Sequence, residues 1–244
     1  MSEPLVLRND QNGVATLTLN RPDKLNALNP SVFVEFRAHV DAIADDETVG
    51  CVIVTGAGRS FCAGHDLGAI ANNEHAPSKH FEPETVDALE QLPQPTIAKI
   101  RGHCFTGGLE FALACDFLIA AESTKLGDTH GQWGLVPIWG MSRRLPERVG
   151  RSTAKELMFT SRRISGSRAA EIGLVDHVVP DDDLDSFVDS LAVEICENSW
   201  DTNRIVKKLI AGGDDRSREE SLLWERKQPF GMPRDMQERM KRDR

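Results

Sequence analysis

The chain has 244 residues, 40% of them hydrophobic and 27% charged, and a formal net charge of -9. That length carries a sizeable core as one large domain or a domain with an appendage, and the spread of apolar residues excludes wholesale disorder. No run of about 18 apolar residues is present to span a membrane, and the acidic balance argues against generic nucleic-acid binding.

The N-terminus, MSEPLVLRND, has neither the basic start nor the apolar stretch of a signal peptide, so the expected location is the cytoplasm, without membrane insertion. Cys51, Cys62, Cys104, Cys115 and Cys196 are odd in number and form no CxxC pair, which argues against a disulfide framework or a zinc site. Along the chain, VATLTL (14–19) reads as a β-branched strand. Asn29 and Pro30 then open a helix that carries Phe33, Phe36, Val40 and Ile43 on one face. CVIVTG (51–56), TIAKIRG (96–102) and DFLIAA (116–121) are short apolar runs typical of strands buried on both faces. Periodicity is weak over 70–92, where a mobile loop over a pocket is expected. GGLEFALACD (107–116) is a short helix, apolar nearly all round and so buried, and LVDHVV (174–179) closes the strand series. Strands separated by helical crossovers imply an α/β protein with a mostly parallel sheet.

Past Pro180 the texture turns helical. Leu184, Phe187, Val188, Leu191 and Ile195 repeat at helical spacing, Ile205, Val206, Leu209 and Ile210 follow, and Ser217 with Glu220 forms a capping box. The expected organisation is a core over 1–182 and a helical module over 183–244. Residues 201–244 hold 12 basic against 9 acidic side chains, a solvated face or a contribution to assembly or anion binding.

GxGxxG, Walker, HExxH and GxSxG signatures are absent, which weakens the dinucleotide, nucleotide-hydrolase, zincin and serine-hydrolase readings. Three segments carry candidate chemistry instead. VIVTGAGRSFCAGHDL (52–67) runs from a strand into a glycine loop that is either a plain turn or a cradle of backbone N–H groups. In RGHCFTGGLEFALACD (101–116), Gly107 and Gly108 open a helix, and Glu110 follows in apolar company. It is either a first-turn acid satisfying the helix or a carboxyl raised for proton transfer. LGDTHGQWGLVPIWG (126–140) adds Asp128 and His130. Two donor-bearing loops and one helix-borne carboxylate suit a thioester whose carbonyl becomes enolate-like.

In this order, NRPDKLNAL, FCAGHDL and GGLEFALACD resemble the enoyl-CoA hydratase/isomerase (crotonase) superfamily. The resemblance implies a spiral of ββα units with a C-terminal helical module that assembles trimers or hexamers, and an acyl-CoA thioester substrate. It implies an oxyanion hole from the backbone N–H groups of His65 and Gly107. It also implies CoA and substrate contacts at Lys24, Ala27, Ala63, Asp66 and Leu67, with Glu110 as principal acid/base. No metal or redox cofactor is implied, CoA being part of the substrate.

One departure stands out. Hydratases of the family place a second glutamate where this chain has His130. Imidazole titrates near neutrality and can serve as acid or base; Asp128 is the weaker candidate for that role. The departure keeps other readings open: a thioester or carbon–carbon bond hydrolase, a dehydratase, a decarboxylase, or a non-catalytic acyl-CoA-binding protein. A nucleophilic Cys62 or Cys104 lacks an evident partner base, so packing is the better reading.

Overall fold

The computed structural model describes residues 3–242. Its strands are β1 (Val6–Gln11), β2 (Val14–Leu19), β3 (Cys51–Gly56), β4 (Thr96–Ile100), β5 (His103–Phe105), β6 (Phe117–Ala121), β7 (Lys125–Gly127), β8 (Ile164–Ser165) and β9 (His177–Val179). The helices of the body are α1 (Pro30–Ala44), α2 (Leu67–Ala71), α3 (Phe81–Glu90), α4 (Gly107–Leu113), α5 (His130–Trp133), α6 (Met141–Thr160) and α7 (Gly166–Glu171). After β9 come α8 (Leu184–Glu197), α9 (Trp200–Gly213), α10 (Arg218–Arg226) and α11 (Met236–Arg242).

Strands β1-β2-β3-β4-β6-β9 form one sheet in that order, parallel apart from the β1–β2 hairpin. Strands β5-β7-β8 form a small second sheet. Asn12 and Gly13 turn the hairpin with φ of 52° and 80°, the left-handed conformations such a turn requires. In β2 every second residue is buried (Ala15, Leu17, Leu19), as the alternation of a half-covered strand dictates. β3 is buried throughout. Its Val52 and Val54 join the main core with Phe33, Phe36, Leu89 and Phe111. Its Cys51 and Ile53 join a second core on the opposite face, closed by Leu184, Val188 and Ala192 of α8.

The helix expected after Asn29 forms, with the Asn29 side chain accepting from the Val32 N–H at 3.0 Å and Pro30 in the first turn. The Ser217–Glu220 capping box is present in both directions. Elsewhere the structure corrects the sequence reading. Residues 81–90 form a helix rather than part of a loop, because Thr85, Val86 and Leu89 bury one of its faces. The strand expected over 174–179 is only His177–Val179; Leu174 and Val175 pack into the core instead. The apolar helix expected over 107–116 ends at Leu113. Strand β1 escaped the reading because only Val6 in it is buried. Helix α6 is rich in exposed charge, and its backbone leaves helical geometry at Gly150 (φ 76°, ψ 158°).

The C-terminal helices pack closely on the body. Trp200 lies over the hairpin turn and the start of β3, so that a Cβ at Gly13 would stand 2.7 Å and one at Gly50 2.4 Å from its ring. Lys207 Nζ meets Asp116 Oδ2 at 2.6 Å. No helix among the described residues is long and apolar enough to cross a membrane.

Asn26, within NRPDKLNAL, ties two loops together. It is buried with a left-handed φ of 57°. Its side chain accepts from Arg21 N–H at 2.9 Å and donates to the carbonyls of Ala57 and Ser60 at 2.9 and 2.7 Å. Asn26→Ala leaves these groups unpaired and removes a residue type that tolerates that φ, so the expected loss is on the order of 3 kcal/mol. Urea denaturation checks this, and a loss below about 1 kcal/mol would mean that water replaces the side chain.

Candidate active site

The parallel arrangement of β3, β4 and β6 brings the glycine loop after β3 against the turn that leads into α4. Gly64 has φ of 107°, and a Cβ placed on it would lie 3.0 Å from the Phe105 carbonyl oxygen and 3.5 Å from the Gly107 nitrogen. Glycine is therefore needed for two backbones to come this close. Gly108 meets the same constraint, since a Cβ there would stand 2.5 Å from the Cys62 carbonyl oxygen. Among the described residues the N–H groups of His65 and Gly107 donate to no other group, whereas the N–H groups of Leu28 and Asp66, bonding on either side of His65, complete a bridge between Leu28 and His65. Both residues line a cavity of about 210 Å³.

Glu110 stands in the same cavity, on the first turn of α4, at 1% exposure. Its Oε1 accepts from the backbone N–H groups of Trp139 and Met141 at 2.9 and 3.0 Å. Oε2 faces His130 Nε2 at 3.6 Å. On its other side, His130 Nδ1 lies 2.5 Å from Asp128 Oδ1, which also accepts from the His130 backbone N–H at 3.1 Å. Glu110, His130 and Asp128 thus form one continuous buried row. Burial holds the Glu110 carboxyl above the usual glutamate range, against the opposing pull of the two backbone donors and of His130. Burial likewise lowers the pKa of His65, whose ring packs, tilted, with its centroid 4.9 Å from that of Trp139.

The five residues expected to hold CoA gather in an adjoining cavity of about 330 Å³, lined by Lys24, Ala27, Ala63, Asp66 and Leu67. His65, Thr106 and Leu135 line both cavities, so the two form one path. Lys24 is exposed at its edge. Asp66 is already engaged: its carboxylate pairs with Arg21 at 2.8 Å and accepts from the Gly68 N–H at the start of α2. A larger cavity of about 800 Å³ lies between α6 and the C-terminal helices, walled by residues such as Arg143, Lys207 and Trp224, and includes none of these groups. Cys62 and Cys104 are buried thiols; burial pushes Cys62 up to about 12 and Cys104 well above its ordinary range, which suits packing and not nucleophilic attack.

Three site features were not legible in the sequence. Trp139 and Met141 contribute through backbone N–H groups, which leave no mark on residue type. Arg144 holds that loop in place: its guanidinium donates to the Trp139 carbonyl at 2.6 Å and pairs with Asp87 and Glu90 of α3 at 2.7 and 2.6 Å. Thr106 adopts φ 53°, ψ -117° at the turn into α4, and its hydroxyl bonds that of Thr129. A non-glycine residue in that conformation is the strained link that joins β5 to the helix.

Glycine-supported N–H groups and a helix-borne carboxyl meeting in one cavity of an α/β body are the architecture of the crotonase superfamily. The chain belongs to its enoyl-CoA hydratase/isomerase family, whose sequence profile matches residues 9–240. It is 35% identical over 214 residues to "Probable enoyl-CoA hydratase 1, peroxisomal" of Arabidopsis thaliana, covering 87% of this chain and 81% of that protein. The crystal structure of an enoyl-CoA hydratase from Bacillus anthracis superposes with a TM-score of 0.91 at 34% identity, covering 97% and 95% of the two chains. A Thermobifida fusca protein solved in complex with CoA superposes with a TM-score of 0.86 at 27% identity, covering 93% and 92%.

A carboxyl whose pKa is raised by folding favours the folded state when protonated. That contribution is complete below the unfolded value of about 4.3 and is lost as pH rises through the folded value. Glu110→Gln keeps an oxygen for Trp139 and Met141 but carries no charge. The variant is expected to gain stability relative to wild type as pH rises across this window. Urea denaturation at about pH 4 to 8 measures it, and a pH-independent difference would contradict the raised carboxyl.

Proposed function

We propose that the protein hydrates a 2-enoyl-CoA thioester, with Glu110 as principal acid/base, His130 as its partner, and the N–H groups of His65 and Gly107 holding the thioester oxygen. The observation that carries this reading is the approach of Glu110 Oε2 to His130 Nε2 at 3.6 Å inside the cavity that the two free N–H groups line. Hydration needs a group to activate water, another to supply the α-proton, and donors where negative charge develops on oxygen. All three can be met within this cavity. Lys24, Ala27, Ala63, Asp66 and Leu67 would accommodate the CoA portion in the adjoining cavity, Lys24 suiting its phosphates and the apolar walls its pantetheine arm. The Thermobifida fusca relative solved with CoA supports this ligand class. CoA enters as part of the substrate, and the scheme uses no metal or redox cofactor.

A second reading keeps the thioester and changes the reaction. An imidazole in place of a carboxylate would also serve hydrolysis of a thioester or a carbon–carbon bond, dehydration or decarboxylation. A binding-only protein is less well supported, because it has no use for a carboxyl buried at a cost beside an imidazole.

The test is crotonyl-CoA hydration, followed by loss of the enoyl-thioester absorbance. Wild type is expected to turn over, and Glu110→Gln to lose on the order of 100-fold or more in kcat. His130→Glu is expected to retain or raise hydration. Tight binding of CoA esters without hydration would move the assignment to the second reading, with thiol release as the next assay.

The helices over 183–244 are proposed to assemble a homotrimer or a hexamer of two trimers. Val206, Ile210 and Leu223 are exposed apolar side chains on α9 and α10 of the single chain, and burial of such a face is what association supplies. Light scattering should give a mass three or six times the 27.0 kDa of the protomer; a monomer at micromolar concentration would refute the assembly.

A further inference from the structure

Asp128 is the member of the buried row that the proposed hydration leaves without a task. It is 2% exposed, and its Oδ1 receives both the backbone N–H of His130 and the ring nitrogen Nδ1. A carboxylate oxygen is an acceptor, so this close contact is a hydrogen bond when the proton sits on the imidazole nitrogen. We propose that Asp128 is a positioning residue that keeps the His130 proton on Nδ1, and thereby makes Nε2 the atom that exchanges a proton with Oε2 of Glu110. This rests on the hydratase reading for its catalytic consequence, though not for its structural content.

The geometry divides the labour at both ends of the row. Glu110 Oε1 is occupied by two backbone N–H groups, which leaves Oε2 as the oxygen on which a proton can come and go without breaking either bond. Nε2 faces that oxygen at 3.6 Å, a separation across which both atoms can touch one water molecule. The titratable groups around the imidazole are Asp128 beside it, Glu110 from α4 and His65 from the loop after β3. Burial disfavours the charged form of His65.

The proton balance then closes. Nε2 takes a proton from water as the water oxygen bonds the β-carbon and the double-bond electrons move onto the thioester oxygen. The proton on Oε2 passes to the α-carbon as the enolate electrons return. An imidazolium and a carboxylate remain, and the Nε2 proton moves to Oε2, which restores the starting state with one water consumed. Asp128 stabilises the imidazolium while it exists, as the acidic member of an Asp–His pair does in acyl-transfer enzymes.

The experiment is nitrogen–proton NMR on protein labelled with 15N-histidine, His130 being assigned by its disappearance in His130→Gln. In wild type, Nδ1 of the neutral ring is expected to carry the proton and Nε2 to lack it. In Asp128→Asn the proton is expected to shift to Nε2, and kcat on crotonyl-CoA to fall on the order of 100-fold or more with KM little changed. A wild-type Nδ1 without a proton overturns the proposal even if the variant does not fold. So does a folded Asp128→Asn that keeps the wild-type tautomer, or one that keeps wild-type kcat in a protein that does hydrate. Should the protein hydrate no enoyl-CoA, the NMR result still decides the tautomer, and the two failures are separable.

Discussion

Placing the Glu110 carboxyl in an apolar interior is the constraint around which the rest of this structure is organised. A buried carboxyl is expensive unless its oxygens are met, and here one oxygen is met by backbone alone, from Trp139 and Met141. Those two N–H groups sit in the loop before α6 and at the first residue of α6, and the position of that loop depends on Arg144. The guanidinium grips the loop carbonyl and two acids of α3, and a Cβ at Gly140 would come within 2.0 Å of its Nη1. One helix end, one loop, one long helix and α3 are thereby coupled to a single oxygen atom. The other oxygen stays available for chemistry.

Close backbone approach is the second condition, and it explains the distribution of glycines better than flexibility does. Gly64 and Gly108 allow the loop after β3 to pack directly on the turn into α4. Trp139 lies where a side chain at Gly107 would be, its ring edge 2.3 Å from a Cβ placed there. The same indole packs on Phe33 at 4.8 Å, so the wall of the cavity is continuous with the main core. Rigidity of the site thus comes from the same contacts that stabilise the fold, and a cavity built in this way needs little further ordering to position a ligand.

The site was partly readable from the sequence for a specific reason. Glu110, Gly107 and the loop around His65 advertise themselves by type: an acid in an apolar helix, glycines at strand ends. Lys24, Ala27, Ala63, Asp66 and Leu67 came from the family resemblance, and they do meet in one cavity. Asp128 and His130 could be named but not related, because a spacing of two residues permits a shared face, a turn or nothing at all. Arg144 sat unremarked within a charged run, where composition suggests solvent. The Asp87 and Glu90 that satisfy it lie more than fifty residues earlier in the chain.

What the sequence determined alone was local: the alternation of β2, the two-faced burial of β3 and β4, the Asn29 cap, the Ser217 capping box and the family. These depend on periodicity and on hydrogen bonds a few residues apart. The polar strand β1 was set by pairing with β2 across the hairpin, without an apolar pattern of its own, and the helix over 81–90 by packing against the core. Tertiary structure alone decided that the Asp128–His130 pair should face Glu110, and that backbone N–H groups from residues 139 and 141 should hold its other oxygen. Such contacts are fixed by the packing of whole elements, and their energies depend on burial that no single segment carries.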